Sequence, residues 1–387
     1  MRGCRHVQSR GAFSIRVLVR ALSGASFKTL IAGCATPIFC AGAVILKKCA
    51  EGCHIRLVCV LYKLKIMTED LQGKSRLAEI IRGEKSLPSI LYHYTSPEAF
   101  VDIVGHKNGV RLMCTNYRFL NDDAEFVDGV EMALRWMKDQ GGGEKMLGRI
   151  RQTMDKTAEM ADWVMMPWIL SFSECEDSTA HWMAYTDRMK GGFAIGVDSE
   201  LLLRRVVSAN KRLKEMHHSQ RAEPGPNVWA AHGGMFLSPC IYYKAGAKCP
   251  PDAFYQALEY VFSDRENFAH LRGVDIDEYA THCLRQVLRI AALLKRDDYE
   301  FEREWRVVFV PMIEKCDLFS GIRLVGGKAR ISLRKTLDAY GRRDILKKVI
   351  VAPHGNACTN EMLANLVKLT SGGAFKVIPS NSSYNGR

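Results

Sequence analysis

The segment Tyr299–Pro311, YEFEREWRVVFVP, is the strongest strand signal in the chain, and it limits what the rest can become. Side chains alternate along a strand, so Glu302, Glu304 and Arg306 share one face while Phe301, Arg303, Trp305 and Val307 share the other. Two carboxylates so placed stand about 7 Å apart, and burying them beside a guanidinium is costly unless they are paired. Residue types alone favour a solvated edge strand carrying an ion-pair ladder. The alternative is a functional acid pair.

Other strand signals lie early and late. SILYHYTS (Ser89–Ser96) alternates and is rich in Tyr, so it predicts a strand ending at Thr95 or Ser96. Ser96-Pro97-Glu98 then supplies a cap, a Pro at the first helical position and an early acid, which together start a helix. GVRLMCT predicts a second strand, and LNDDAEF (Leu120–Phe126) a capped turn opening a helix through Trp136. WILSFSE (Trp168–Glu174) predicts a strand, STAHWMAY (Ser178–Tyr185) a short helix, and KGGFAIGVD a turn and strand. Residues 199–295 read as mainly helical, apart from a Pro/Gly loop near 224–238 and a short strand around CIYYK. KKVIVAP and AFKVIP add late strands. Early and late strands with helices between them predict an α+β fold rather than a βαβ alternation.

The formal net charge of +13 suggests an acidic partner, but its distribution removes that inference. Residues 1–66 hold eleven basic side chains and one acid, and so +10 of the total; the remaining residues carry only +3. That body offers no strong nucleic-acid signal. The leader also contains six of the thirteen cysteines and an uncharged, mostly apolar run from Thr29 to Leu46. A start assigned too early, with the ordinary beginning at Met67, is the first reading of this leader; a membrane or export segment is the second. A membrane partner is expected only if residues 1–66 are genuine. Residues 67–85 read as an N-terminal helix and linker, and 86–380 as one domain. The other seven cysteines show no zinc-ligand spacing and read as core thiols of a cytoplasmic protein. No metal is predicted.

Walker A, HExxH and GxSxG motifs are absent, and GGFAIG at 191–196 precedes a strand rather than joining strand to helix. LYHYTS, LNDDAEF, SFSE…HW..Y, GGFAIGVD, EFEREWR and KKVIVAPHG occur in the order of a bacterial family, domain of unknown function 2971, which this chain resembles over about residues 88–356. More distantly, a His on the first strand, a central Tyr and a Glu on a late strand are similar to the His-Tyr-Glu type of NAD-dependent ADP-ribosyltransferase.

That second resemblance implies a split antiparallel sheet, here with a helical insertion at about 199–295, and NAD as substrate. His93 would bond a ribose hydroxyl, with Tyr94 beside it among the cofactor-contacting residues. Tyr185 or Trp182 would stack on nicotinamide, and Arg306 could hold a phosphate. Glu304, preferred narrowly over Glu302, would stabilise the oxocarbenium ion formed as nicotinamide leaves. A protein or nucleic-acid acceptor, or water, would take the ADP-ribose, and a defence or toxin role would fit such chemistry. Two alternatives stay open: a non-catalytic module built on ion pairs, and a nuclease holding magnesium with Glu302, Glu304 and Asp122.

Overall fold

The computed structural model describes residues 37–40, 43–46, 76–105, 110–120, 124–140, 144–159, 166–219, 235–244, 246, 251–263, 276–310, 322–325, 328–332 and 343–384. Asn121, Asp122, the glycines at 141–143 and the loop at 224–226 lie outside them. The chain forms two compact units, Met1–Thr68 and Glu69–Arg387. In the first, β1 (Pro37–Cys40) pairs antiparallel with β2 (Ala43–Leu46). These strands occupy the end of the apolar 29–46 run; the rest of that run lies outside the described residues. Among the described residues no helix is long and apolar enough to cross a membrane.

The second unit is α+β. In chain order its elements are α1 (Arg76–Arg82), β3 (Ile90–Thr95), α2 (Pro97–Val104), β4 (Met113–Asn116), α3 (Ala124–Asp139), α4 (Glu144–Glu159), β5 (Trp168–Ser173), α5 (Thr179–Tyr185) and β6 (Phe193–Asp198). There follow α6 (Ser199–Ser219), β7 (Met235–Pro239), β8 (Ile241–Tyr243), α7 (Asp252–Ser263), α8 (Ile276–Ala291), β9 (Leu294–Arg296) and β10 (Glu304–Phe309). Last come β11 (Ile322–Val325), β12 (Lys328–Ser332), β13 (Leu346–Val351), α9 (Ala357–Ser371) and β14 (Lys376–Pro379).

Among the described residues ten strands make one sheet, ordered β11-β12-β4-β5-β3-β6-β13-β14, with β10 and then β7 attached to β5. All its pairings are antiparallel except β13 with β14. The sheet forks at β5. One edge of β5 pairs with β10 along its whole length, from Trp168↔Phe309 to Ser173↔Glu304. The other edge is shared: β4 takes Trp168 and Ile169, and β3 reaches only Ser173, through Tyr92. At the fork His93 Nδ1 lies 2.9 Å from the Ser171 carbonyl oxygen. A carbonyl can only accept, so this contact assigns the imidazole proton to Nδ1.

Helices cover both faces. Trp305, Val307 and Phe309 of β10 join the core that also contains Phe100 of α2, Leu202 and Val206 of α6, and Ala364 of α9. Val308 and Val310 join the opposite core with Ala133 of α3, Leu147 of α4, Leu258 of α7 and Leu288 of α8. Alternation along β10 therefore sends Glu304 and Arg306 to the α8 side, beneath the Ala292–Leu294 backbone.

Three expectations need correction. The strand expected from Tyr299 starts at Glu304, because Asp297–Glu302 forms a 3-10 helix closed by Arg303 in the left-handed conformation, φ 44° and ψ 52°. Nor is it a solvated edge strand: β10 lies between β5 and β7, and all six of its residues are buried. Finally, residues 235–238, expected within a Pro/Gly loop, belong to β7 (Met235–Pro239), so the 199–295 segment adds a strand to the sheet.

Candidate functional site

Beside the fork, β9, the 3-10 turn, the start of β10 and helix α5 bring six polar side chains together. Lys295 Nζ donates to Glu302 Oε2 at 2.6 Å and to Glu304 Oε2 at 2.5 Å. Arg306 donates from Nε to Glu304 Oε1 at 2.8 Å and from Nη2 to Oε2 at 3.2 Å, gripping the carboxylate with two bonds. Its Nη1 reaches the Ala292 and Leu294 carbonyls at 2.9 and 3.2 Å. The Tyr185 hydroxyl donates to Glu302 Oε1 at 2.7 Å. His181, one turn earlier on α5, packs its ring 5.8 Å from that of Tyr185 and 6.5 Å from that of Phe301.

Lys295, Glu302, Glu304 and Arg306 are each at most 6% exposed, so the pairing that burial demands has been met. Burial pushes the Glu304 carboxyl upward in pKa, but Arg306 and Lys295 more than offset this and hold it well below the usual carboxylate range. Burial likewise opposes the charge on Lys295, yet Glu304 leads the interactions that hold its pKa above normal. Burial, reinforced by Glu302, raises the Tyr185 phenol. Burial lowers the His181 imidazole, which is neutral at pH 7. Because the folded pKa of Glu304 is depressed, its stabilisation is fully present above the unfolded value near ~4 and disappears as the folded group takes up a proton below that. Urea unfolding between pH 7 and pH 3 should show stability falling on the acid side, with Glu304→Gln flattening that fall.

The two acids differ in surroundings. Glu304 is held by two cations. Glu302 meets one cation and a neutral hydroxyl, and the residues around it are exposed aromatics: Phe301 is 52%, Tyr185 37% and Tyr299 36% exposed. Lys295 Nζ also lies 5.2 Å from the centre of the Tyr299 ring.

The remaining predicted residues divide. Tyr94 accepts from the Ser178 amide at 3.0 Å and donates to the Cys175 carbonyl at 2.9 Å, fixing the turn that leads into α5. Trp182 is wholly buried, with its indole N–H on Asp177 Oδ1 at 2.6 Å and its ring edge-on to Tyr94. It offers no open face to a nicotinamide, so of the two aromatics expected to stack only Tyr185 has one. His93 sits at the fork rather than in the Lys295 network. Arg306 is engaged by Glu304 and two carbonyls, which leaves no obvious fork for a phosphate.

Sequence reasoning missed Lys295 and His181. Lys295 stands in LLKRDDYE, where a charge run reads as solvated, and nothing local marks it as buried. His181 carried a weak signal, the HW pair three residues before Tyr185. Among the described residues no group of three or more His, Cys, Asp or Glu is placed to hold a metal ion. Glu302 and Glu304 converge on the Lys295 ammonium, and Asp122 falls outside the described residues. Comparison with protein families, with curated proteins and with solved structures finds no match for this chain.

Proposed function

We propose that this protein is an NAD-consuming enzyme of the ADP-ribosyltransferase type, with Glu302 as the acid at the reacting centre. One observation carries the reading: the 2.7 Å Tyr185–Glu302 hydrogen bond joins the β5–α5 motif to the β10 motif inside a rim of exposed aromatic rings. Large ring faces beside a carboxylate suit a flat, positively charged pyridinium. The forked, mostly antiparallel sheet would correspond to the split sheet of such transferases.

In this reaction the C1′–N bond breaks, and its electron pair leaves on the nicotinamide nitrogen. The remaining ribosyl oxocarbenium ion is stabilised by the Glu302 carboxylate, which has lone pairs beyond those taken by Tyr185 and Lys295. An acceptor nucleophile or water attacks C1′ and gives up a proton. Glu302 replaces Glu304 as the preferred acid, because the latter is already gripped by Arg306 and Lys295.

The test is nicotinamide release from NAD by the intact chain. Glu302→Gln is expected to lower the rate by about 100-fold or more, the usual size of a lost electrostatic contact at a reacting centre. Wild-type protein that releases none, at any enzyme concentration and with candidate acceptors present, would leave the network as an ion-paired structural element.

A further inference from the structure

A cleft of about 700 Å³ opens at the end of the sheet where β5 and β7 finish and β10 begins. Two cations line it, Lys85 from the segment before β3 and Arg303 from the turn before β10. Neither makes a side-chain hydrogen bond or ion pair among the described residues, whereas Lys295 and Arg306 nearby are fully engaged. Three acids also border the cleft. Glu304 is neutralised by Lys295 and Arg306, and Glu174 accepts from the Trp305 indole at 2.7 Å. Glu174 Oε2 and both oxygens of Glu300 make no hydrogen bond or ion pair among the described residues. The groups left for a ligand are thus two cations, two carboxylates not paired with a cation and the ring of Phe301, which is 52% exposed.

Arg303 adds a second, independent sign. Among the described residues it is the one non-glycine residue with positive φ. Its amide donates to the Glu300 carbonyl at 3.1 Å and its carbonyl accepts from the Glu174 amide at 3.2 Å, so the surrounding backbone holds it there. A left-handed side chain costs on the order of 1–3 kcal/mol, and glycine would avoid that cost. An arginine with no partner, kept where glycine is easier, points to a use for its guanidinium.

We infer that this cleft binds a nucleoside phosphate, with the phosphate on Lys85 and Arg303, the base against Phe301, and a ribose hydroxyl or base amine on Glu300. A guanidinium and an ammonium lining one cavity suit phosphate oxygens. The ligand could be the ADP half of a dinucleotide or a separate nucleotide. The inference does not rest on NAD cleavage, since binding can be read in a protein that cleaves nothing.

Isothermal titration of the full chain with ADP tests it. Arg303→Gly and Lys85→Ala should each weaken ADP binding about ten-fold or more, the usual worth of one charged hydrogen bond. Arg303→Gly should leave the thermal midpoint unchanged or raised, which separates lost binding from lost folding. Adenosine, lacking the phosphate, should bind far more weakly than ADP. Absence of ADP binding at millimolar concentration, or binding unchanged in both variants, would overturn the proposal. So would equal affinity for adenosine. If ADP binds with this charge dependence and NAD displaces it, the occupant is the dinucleotide; if NAD does not displace it, a separate nucleotide is the ligand. ADP binding that persists in Glu302→Gln would keep this site even if no nicotinamide is ever released.

Discussion

Lys295→Met should destabilise the second unit by about 3–5 kcal/mol, the cost of removing one partner from a buried ion pair. The lysine is 6% exposed and is the contact common to Glu302 and Glu304. Without it Glu304 retains Arg306, but Glu302 is left with the Tyr185 hydroxyl as its partner. An uncompensated carboxylate then sits beside His181 and the aromatic rim. Methionine nearly keeps the side-chain length, so the change is mainly one of charge. Urea denaturation of wild type, Lys295→Met and Lys295→Met/Glu302→Gln would measure it. The double variant should recover much of the loss, because a neutral amide no longer needs a cation. A single-variant loss below about 1 kcal/mol, the range of exposed pairs, would show that the network is solvated in solution.

The second large effect is expected at Trp182. Trp182→Ala should cost about 3–5 kcal/mol through the cavity it leaves, since the indole is completely buried. It should also release the C-terminal tail. Asp177 Oδ1 receives the indole N–H and the Ser380 hydroxyl, each at 2.6 Å, while its Oδ2 receives the Asn381 amide at 2.6 Å. Trp182→Phe keeps most of the packing and removes only the hydrogen bond, so it should cost about 1–3 kcal/mol. Thermal unfolding gives the stabilities, and hydrogen exchange at residues 380–384 reports the tail. If Trp182→Ala were as stable as wild type while its NAD affinity fell, the ring would be an exposed stacking surface and the burial described above would be wrong.

The legible parts of this fold were those whose signals are local. Ser96 and Pro97 start α2 as the cap pattern requires, and the alternation of SILYHYT gives β3 within a residue. The start of β10 was misplaced because Tyr299–Glu304 alternates in sequence, yet Arg303 turns left-handed and lets the chain curl through a 3-10 helix first. Glu302 and Glu304 still meet, through the turn and Lys295 rather than through strand pleat alone. Whether β10 was an edge or an interior strand could not be read from its own residues. That depends on β7, which arrives from a segment with few local strand cues. The partners of the acids were hidden for a related reason: Tyr185 lies 117 residues from Glu302 in the chain, and no periodicity reports such a contact.

The four charges of the buried network, two cations and two carboxylates, sum to zero. Their field therefore dies away much faster than that of a lone charge and is negligible beyond a Debye length of about 8 Å at physiological salt. A diffusing molecule receives no guidance from them until it touches the aromatic rim. The network itself therefore adds nothing to the on-rate of a charged partner, and any steering of an anion comes from Lys85 and Arg303. What the buried network contributes to selection is exercised after contact, by hydrogen-bond geometry beside the aromatic rim.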